Sequence, residues 1–235
     1  MGKYVVTDLT RFKEGSKDVC TALIDVETGA CVRPIPYFTY ERVKALGMIP
    51  GAVIEGEFIS SAEAGKPHRE DCDHRGLKLT GAVNAAEFRR VLDASLSPSV
   101  QEGFGSDFDG IKFLPPGTTA QKSIITVKVK PGDLRVDKDN YGKYKVHFRD
   151  SAGASYRYIP ITDLGFHEYI RAVDGSSNNP VDEVNSHFHG ATEIYLRLGV
   201  SRAYKAQDGR NGYWMQVNGI YSFPSKLNKI RGYAP

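Results

Sequence analysis

The chain has 235 residues, 40% of them hydrophobic and 25% charged, the proportions of an ordinary globular protein with room for one large or two small domains. A net charge of +3 is too small by itself to imply a polyanion partner, and three cysteines are too few, and odd in number, for a secreted disulfide scaffold. The opening MGKYVVTDLTRFKEG lacks the apolar run of a signal peptide, and no stretch approaches the roughly 20 apolar residues of a membrane helix, so a cytoplasmic location without membrane partners is expected.

VVT (5–7) begins the first predicted strand. VCTALIDV (19–26) and ACVRPI (30–35) flank a Glu-Thr-Gly turn and read as a hairpin, in which Cys20 and Cys31 fall out of register and serve as small buried side chains. YERVKALG (40–47) has helix formers ending at a glycine, the usual C-terminal stop. PGAVIEGEFIS (50–60) and HRGLKLTGAV (74–83) read as two further strands. AAEFRRVLDASL (85–96) spaces Phe88, Val91, Leu92 and Leu96 three and four apart, the period of an amphipathic helix. Pro98 and the polar, glycine-containing run to residue 119 then break regularity, and a domain boundary is expected there.

The second half repeats the order. SIITVKVKPGDLRVD (123–137) reads as a long strand bent at Pro131 and Gly132, followed by YKVHFRD (144–150) and ASYRYIPI (154–161) around a Ser-Ala-Gly turn. Thr162 is the expected cap of a helix over 162–173. A long loop through SSNNP precedes EIYLRLGVSRAY (193–204), and a short basic loop leads to WMQVNGIYSF (214–223). Three strands, a helix and two strands in each half is the order of an OB-fold, a five-stranded Greek-key barrel. The expected fold is therefore mainly β with minor α: a first OB-like barrel over 1–84, a helical linker over 85–118, a second barrel over 119–224 and a basic tail over 225–235.

Four stretches, LTRFK (9–13) with VCTALID and GACVRPI (19–35), CDHRGLKLTG (72–81), LGVSRAY (198–204) and WMQVNGIYSFP (214–224), run in order through nearly the whole chain. They resemble a prokaryotic family of dual OB-domain proteins described as nucleic-acid modification proteins. The resemblance implies two OB domains, nucleic acid as partner and a modification enzyme as associate; it assigns no residue a role.

Charge is unevenly spread. Residues 1–118 carry 14 Lys and Arg against 17 Asp and Glu, whereas 119–235 carry 17 against 11. The stretch 197–235 holds seven basic residues and one acid, Asp208, an asymmetry that suggests phosphate contacts. The only tryptophan lies in GYWMQVNGIYSFP (212–224). Strand alternation places Tyr213, Met215, Val217, Tyr221 and Phe223 on a core face and Trp214, Gln216 and Asn218 on the other, with Gly219 as a bulge. OB barrels hold single strands with a cationic groove and aromatic platforms. Trp214, Gln216 and Asn218, with Arg197, Arg202, Tyr204, Lys205 and Arg210, would form such a surface on the C-terminal barrel, binding nucleic acid or a nucleotide-like ligand. Arg33 and Lys78, with Tyr37 and Tyr40, are their counterparts in the first barrel. The plainer alternative is a solvated basic surface over a core tryptophan.

PHREDCDHRG (67–76) is the densest set of potential ligands. His68, Asp71, Asp73 and His74 could centre a metal-dependent hydrolase or nuclease, and His68, Cys72 and His74, or His187 and His189, could ligate a metal. The second cysteine pair of a structural zinc site is missing, and a polar inter-strand loop explains the cluster equally well. His187 and His189 would share a face of a strand but read more simply as an exposed loop. There is no G-x-S-x-G elbow, no G-x-x-x-x-G-K-S/T loop and no H-x-E…P-C-x-x-C signature, so no cofactor and no catalysis by this chain alone are expected. A protein-interaction scaffold is the third reading.

Overall fold

A computed structural model describes residues 2–13, 15–61, 65–105, 108, 110–174 and 179–224, and the fold is mainly β. The tail over 225–235 lies outside the described residues. Strand β1 (Gly2–Arg11) is long enough to pair twice, through Gly2–Val5 with β5 (Ala52–Ser60) and through Tyr4–Arg11 with β2 (Asp18–Asp25). The tight turn from β2 into β3 (Cys31–Pro34) needs the left-handed backbone that Gly29 supplies at φ 71°. Cys31 lies opposite Ile24, and all three cysteines are free thiols, as the hairpin register implies. A short β4 (Phe38–Thr39) leads into α1 (Tyr40–Ala45), whose Arg42 amide is capped by the Thr39 hydroxyl.

Strand β6 (Asp71–Ala82) pairs antiparallel with β5 and then parallel with β3, placing Arg33 opposite Asp71 and Pro34 opposite Cys72. That seam closes a five-stranded barrel, with Val6, Leu9, Leu23, Phe38 and Ile54 inside. It also explains why β6 begins three residues earlier than the alternation in HRGLKLTGAV predicts. The Arg33 amide donates to the Glu70 carbonyl and the Ile35 amide to the Cys72 carbonyl, drawing the ligand-rich segment into the sheet.

Helix α2 (Ala85–Ala94) starts at a reciprocal capping box between Asn84 and Glu87 and buries Phe88, Val91 and Leu92. These side chains cluster with Val5 and Ile24 on one side and Tyr195, Tyr221 and Phe223 on the other, so the helix is a wedge between the two halves. A short α3 (Val100–Phe104), capped by Ser99, and β7 (Phe113–Leu114) occupy the stretch that reads as irregular.

In the second half the long bent strand is β8 (Ile124–Val129) and β9 (Leu134–Lys138), broken by a 3-10 turn over Pro131–Asp133. β9, β10 (Tyr144–Arg149) and β11 (Ser155–Pro160) make one antiparallel sheet. Helix α4 (Leu164–Asp174) is capped by Asp163, whose carboxylate accepts from the Phe166 amide; Thr162 instead donates its hydroxyl to the Val217 carbonyl and to Asn218. Helix α5 (Pro180–His189) falls where the sequence reads as loop, capped by Asn179 and entered by Pro180. β12 (Glu193–Val200), β13 (Tyr204–Lys205) and β14 (Asn211–Phe223) complete a second sheet in the order β13-β14-β12-β8. The two sheets meet at a parallel bridge between Ile161 and Val217, giving a curled half-barrel beside the closed one.

A bulge in β14 splits its core face. Arg197 pairs with Gly219 but Leu198 with Val217, so Asn218 is the extra residue, and alternation changes phase there. Met215, Val217 and Ile220 fill the half-barrel, while Tyr221 and Phe223, expected on that same face, turn to the α2 cluster. Gly199 leaves room for the bulge, since a Cβ there would lie 2.4 Å from the Asn218 amide nitrogen.

Polar contacts tie the halves together. Arg197, 1% exposed, reaches Asp8 through Nε at 2.9 Å and Nη2 at 2.8 Å and donates from Nη1 to Thr126 at 2.8 Å. Asp8 too sits at a register shift, in β1. The Glu70 carboxylate accepts from the Ser123 amide and hydroxyl, both at 2.8 Å, and Tyr221 donates its hydroxyl to the Thr7 carbonyl.

Candidate nucleic-acid interface

A cavity of about 590 Å³ opens between the halves. Phe12 at the end of β1, Arg33 on β3 and Tyr37 form its first-barrel wall; Arg202 and Tyr204 after β12, with Trp214 and Gln216 on β14, form the other. Phe12 and Tyr37 lie with ring centroids 4.8 Å apart, and Phe12 remains 51% and Tyr204 57% exposed. Trp214 is half-buried. Phe113 lies 4.9 Å from it, centroid to centroid, the Arg210 guanidinium stands 4.7 Å from its ring centroid, and its indole N–H donates to the Tyr204 carbonyl at 3.4 Å. The indole is therefore braced in place and still borders the cleft, which is how a stacking platform is held at low entropic cost.

Asp71 organises the floor. Its Oδ1 accepts from Arg33 Nε at 2.6 Å and its Oδ2 from Arg202 Nη2 at 2.8 Å, while Arg202 Nε reaches the Tyr37 hydroxyl at 3.2 Å. The parallel pairing of β3 with β6 sets this geometry, because it puts Arg33 directly across from Asp71. Arg33 is 4% exposed, and its Nη2 has no hydrogen-bond partner among the described residues. A buried donor left unpaired is costly.

His68 lies near this floor, edge-on to Tyr213 at 5.7 Å. The Ser201 backbone is close to the ring, yet neither ring nitrogen completes a hydrogen bond. Burial first, then the Arg33 and Arg202 charges, push its pKa down to about 3, so the folded protein holds it neutral. The unfolded chain takes up that proton below about pH 6.5, so stability is full above this value and falls as pH drops toward 3. Burial also lowers His74, His147 and His167, in the same direction. Urea unfolding is expected to show a loss of about 2 kcal/mol from His68 between about pH 6.5 and pH 4.5. His68→Leu should flatten that slope, and an unchanged slope would refute the assignment.

Of the residues singled out in the sequence, Arg33, Arg202, Tyr204, Trp214 and Gln216 line one cavity. Arg210 stands over Trp214 and pairs with Asp208, and Lys205 is exposed on β13 outside the lining. Arg197 is corrected: its guanidinium is 1% exposed, is bonded to Asp8, Thr126 and Cys31, and lies outside the lining of this cavity. Asn218 is corrected as well, being 3% exposed with its Oδ1 accepting from Thr162 and Gln216. Tyr40 donates to Glu168, and Lys78 lies on β6 outside the cavity.

The metal reading fails on geometry. Strand alternation along β6 parts Asp71 and Asp73 from Cys72 and His74; Asp71 is taken by two arginines, and the His74 ring packs 5.0 Å from Phe38. His187 and His189 are on helix α5, where residues two apart do not share a face, and His187 Nε2 contacts the Ser222 hydroxyl at 2.9 Å. Among the described residues no three His, Cys, Asp or Glu side chains converge as metal ligands. Phe12 and Arg11 also line the cleft; in the sequence they fall within LTRFK (9–13), a stretch of the family resemblance that assigns them no role.

No family model and no curated protein matches the chain. A solved structure described as a murine DNA-binding protein bound with double-stranded DNA aligns over 92% of this chain and 91% of that one, at 13% identity and a TM-score of 0.30. A likeness that loose supports no transfer of function.

Proposed function

We propose that the cleft between the barrels binds single-stranded nucleic acid or a nucleotide-like ligand. The observation that carries this reading is the convergence of Phe12, Tyr37, Tyr204 and Trp214 around Arg33 and Arg202, drawn from both halves of the chain. Aromatic faces accept any base, and the guanidiniums complement phosphate or carbonyl oxygens. The site is thus shared between the barrels rather than carried chiefly by the C-terminal one. The division at residues 84, 118 and 224, kinship with the dual OB-domain proteins and service to a modification enzyme belong to the same proposal. Among the described residues no helix is long and apolar enough to cross a membrane.

Fluorescence anisotropy with a labelled single-stranded oligonucleotide tests the reading. Affinity should fall with salt, the logarithmic slope being about −0.7 per phosphate neutralised. Absent or salt-insensitive binding would sink it.

A further inference from the structure

Beyond Phe12 and Pro160 the cleft adjoins a second cavity of about 540 Å³, and Arg11, Phe12 and Pro160 border both. Its lining differs in chemistry. Arg11, Lys13, Lys143, Lys145 and Arg171 surround it, and no described lining residue is a carboxylate. Asp139, at the turn beside the cavity, accepts from the Tyr141 and Lys143 amides at 2.9 Å each and pairs with Lys145 at 3.6 Å, holding the β9–β10 turn that presents Lys143; Asp163 caps α4 and Glu168 accepts from Tyr40. Arg11 is held at the junction by His167. The His167 Nε2 lies 2.8 Å from the Ile161 carbonyl, which can only accept, so the proton is on Nε2. Nδ1 therefore accepts from Arg11 Nη2 at 3.0 Å, and a neutral imidazole orients a full positive charge between the two cavities.

We infer that the ligand is a dinucleotide or longer single strand, with a base in the aromatic cavity and the adjoining phosphodiester in the basic one, the chain passing over Phe12. This rests on the proposed function of the cleft and adds to it a ligand length and a path. A lone nucleoside would fill one cavity and leave the exposed Lys13, Lys143 and Arg171 to solvent, whereas a phosphodiester displaces their counterions and gains affinity. Phe12, exposed at the divide, is placed to stack on the base next to the phosphate.

The test compares thymidine, thymidine 5′-monophosphate, the thymidine dinucleotide and inorganic phosphate, read by the emission of Trp214 and by calorimetry. The dinucleotide should bind at least about tenfold tighter than thymidine. In a Lys13→Glu/Lys143→Glu variant that advantage should fall to about one. The alanine pair serves where the glutamates disturb folding, which thermal unfolding reports. Thymidine bound as tightly as the dinucleotide, or an advantage that survives the double variant, overturns the inference and leaves the cleft reading standing. Inorganic phosphate binding as tightly as the dinucleotide overturns it in favour of a free anion. Dinucleotide binding that Trp214→Ala and Phe12→Ala leave untouched instead overturns the cleft reading, because the base would then lie elsewhere.

Discussion

Asp8→Ala is expected to destabilise the fold by about 3–5 kcal/mol, the largest single effect foreseen for this chain. The mutation would leave the Arg197 guanidinium, 1% exposed, without its carboxylate, keeping only Thr126 and the Cys31 sulfur as partners. Arg197→Met should cost a similar amount by stranding Asp8, which already has Oδ1 without a hydrogen bond. Replacing both together, as Asp8→Leu with Arg197→Met, should recover most of the loss, because the desolvation of two charges disappears with their attraction. Urea midpoints for the two singles and the double form the cycle that measures this. A double variant as unstable as the sum of the singles would show that the pair is not coupled. Binding should follow stability, since β12, which carries Arg197, leads directly into Arg202 and Tyr204 of the cleft wall.

Trp214→Ala is expected to weaken single-strand binding by about 1–3 kcal/mol, roughly fivefold to 150-fold, with Trp214→Phe losing much less. Lys78→Ala, on β6 outside the cleft, should change little. The indole's bracing is the reason for the size of the effect. Phe113 and Arg210 already fix its orientation, so little side-chain freedom is left to lose on binding. Because the chain has a single tryptophan, its fluorescence reports this platform alone. Equal affinities for wild type and Trp214→Ala would remove the indole from the site.

The architecture is legible in the sequence where local pattern and tertiary demand agree. The hairpin at Gly29, the α2 stripe of Phe88, Val91 and Leu92, and the break at Pro131 all follow from turn chemistry or periodicity. Helix α5 is hidden because its polar entry, SSNNP, reads as loop, although Asn179 and Pro180 serve there as cap and first turn and Val184 and Phe188 are buried. The phase change in β14 is half visible: Gly219 signals a bulge, but alternation alone cannot say that the later aromatics will serve a different core. Candidate residues divide on the same principle. Composition marks Arg197 and Arg202 alike, yet one lies on β12 with its side chain on Asp8 of β1 and the other lies in the loop just past that strand. Position in the fold, not residue type, separates the inter-half lock of Arg197 from Arg202 on the cleft wall.

Asp8 and Arg197 stand 189 residues apart in the chain. During synthesis, which proceeds from the N-terminus, the first barrel can close long before its counter-ion emerges from the ribosome. In that interval the Asp8 carboxylate lacks its guanidinium partner and keeps only the Thr7 hydroxyl, so the surface destined for burial carries an uncompensated charge that favours hydration. The charge that fastens the halves is therefore uncompensated until β12 is in place.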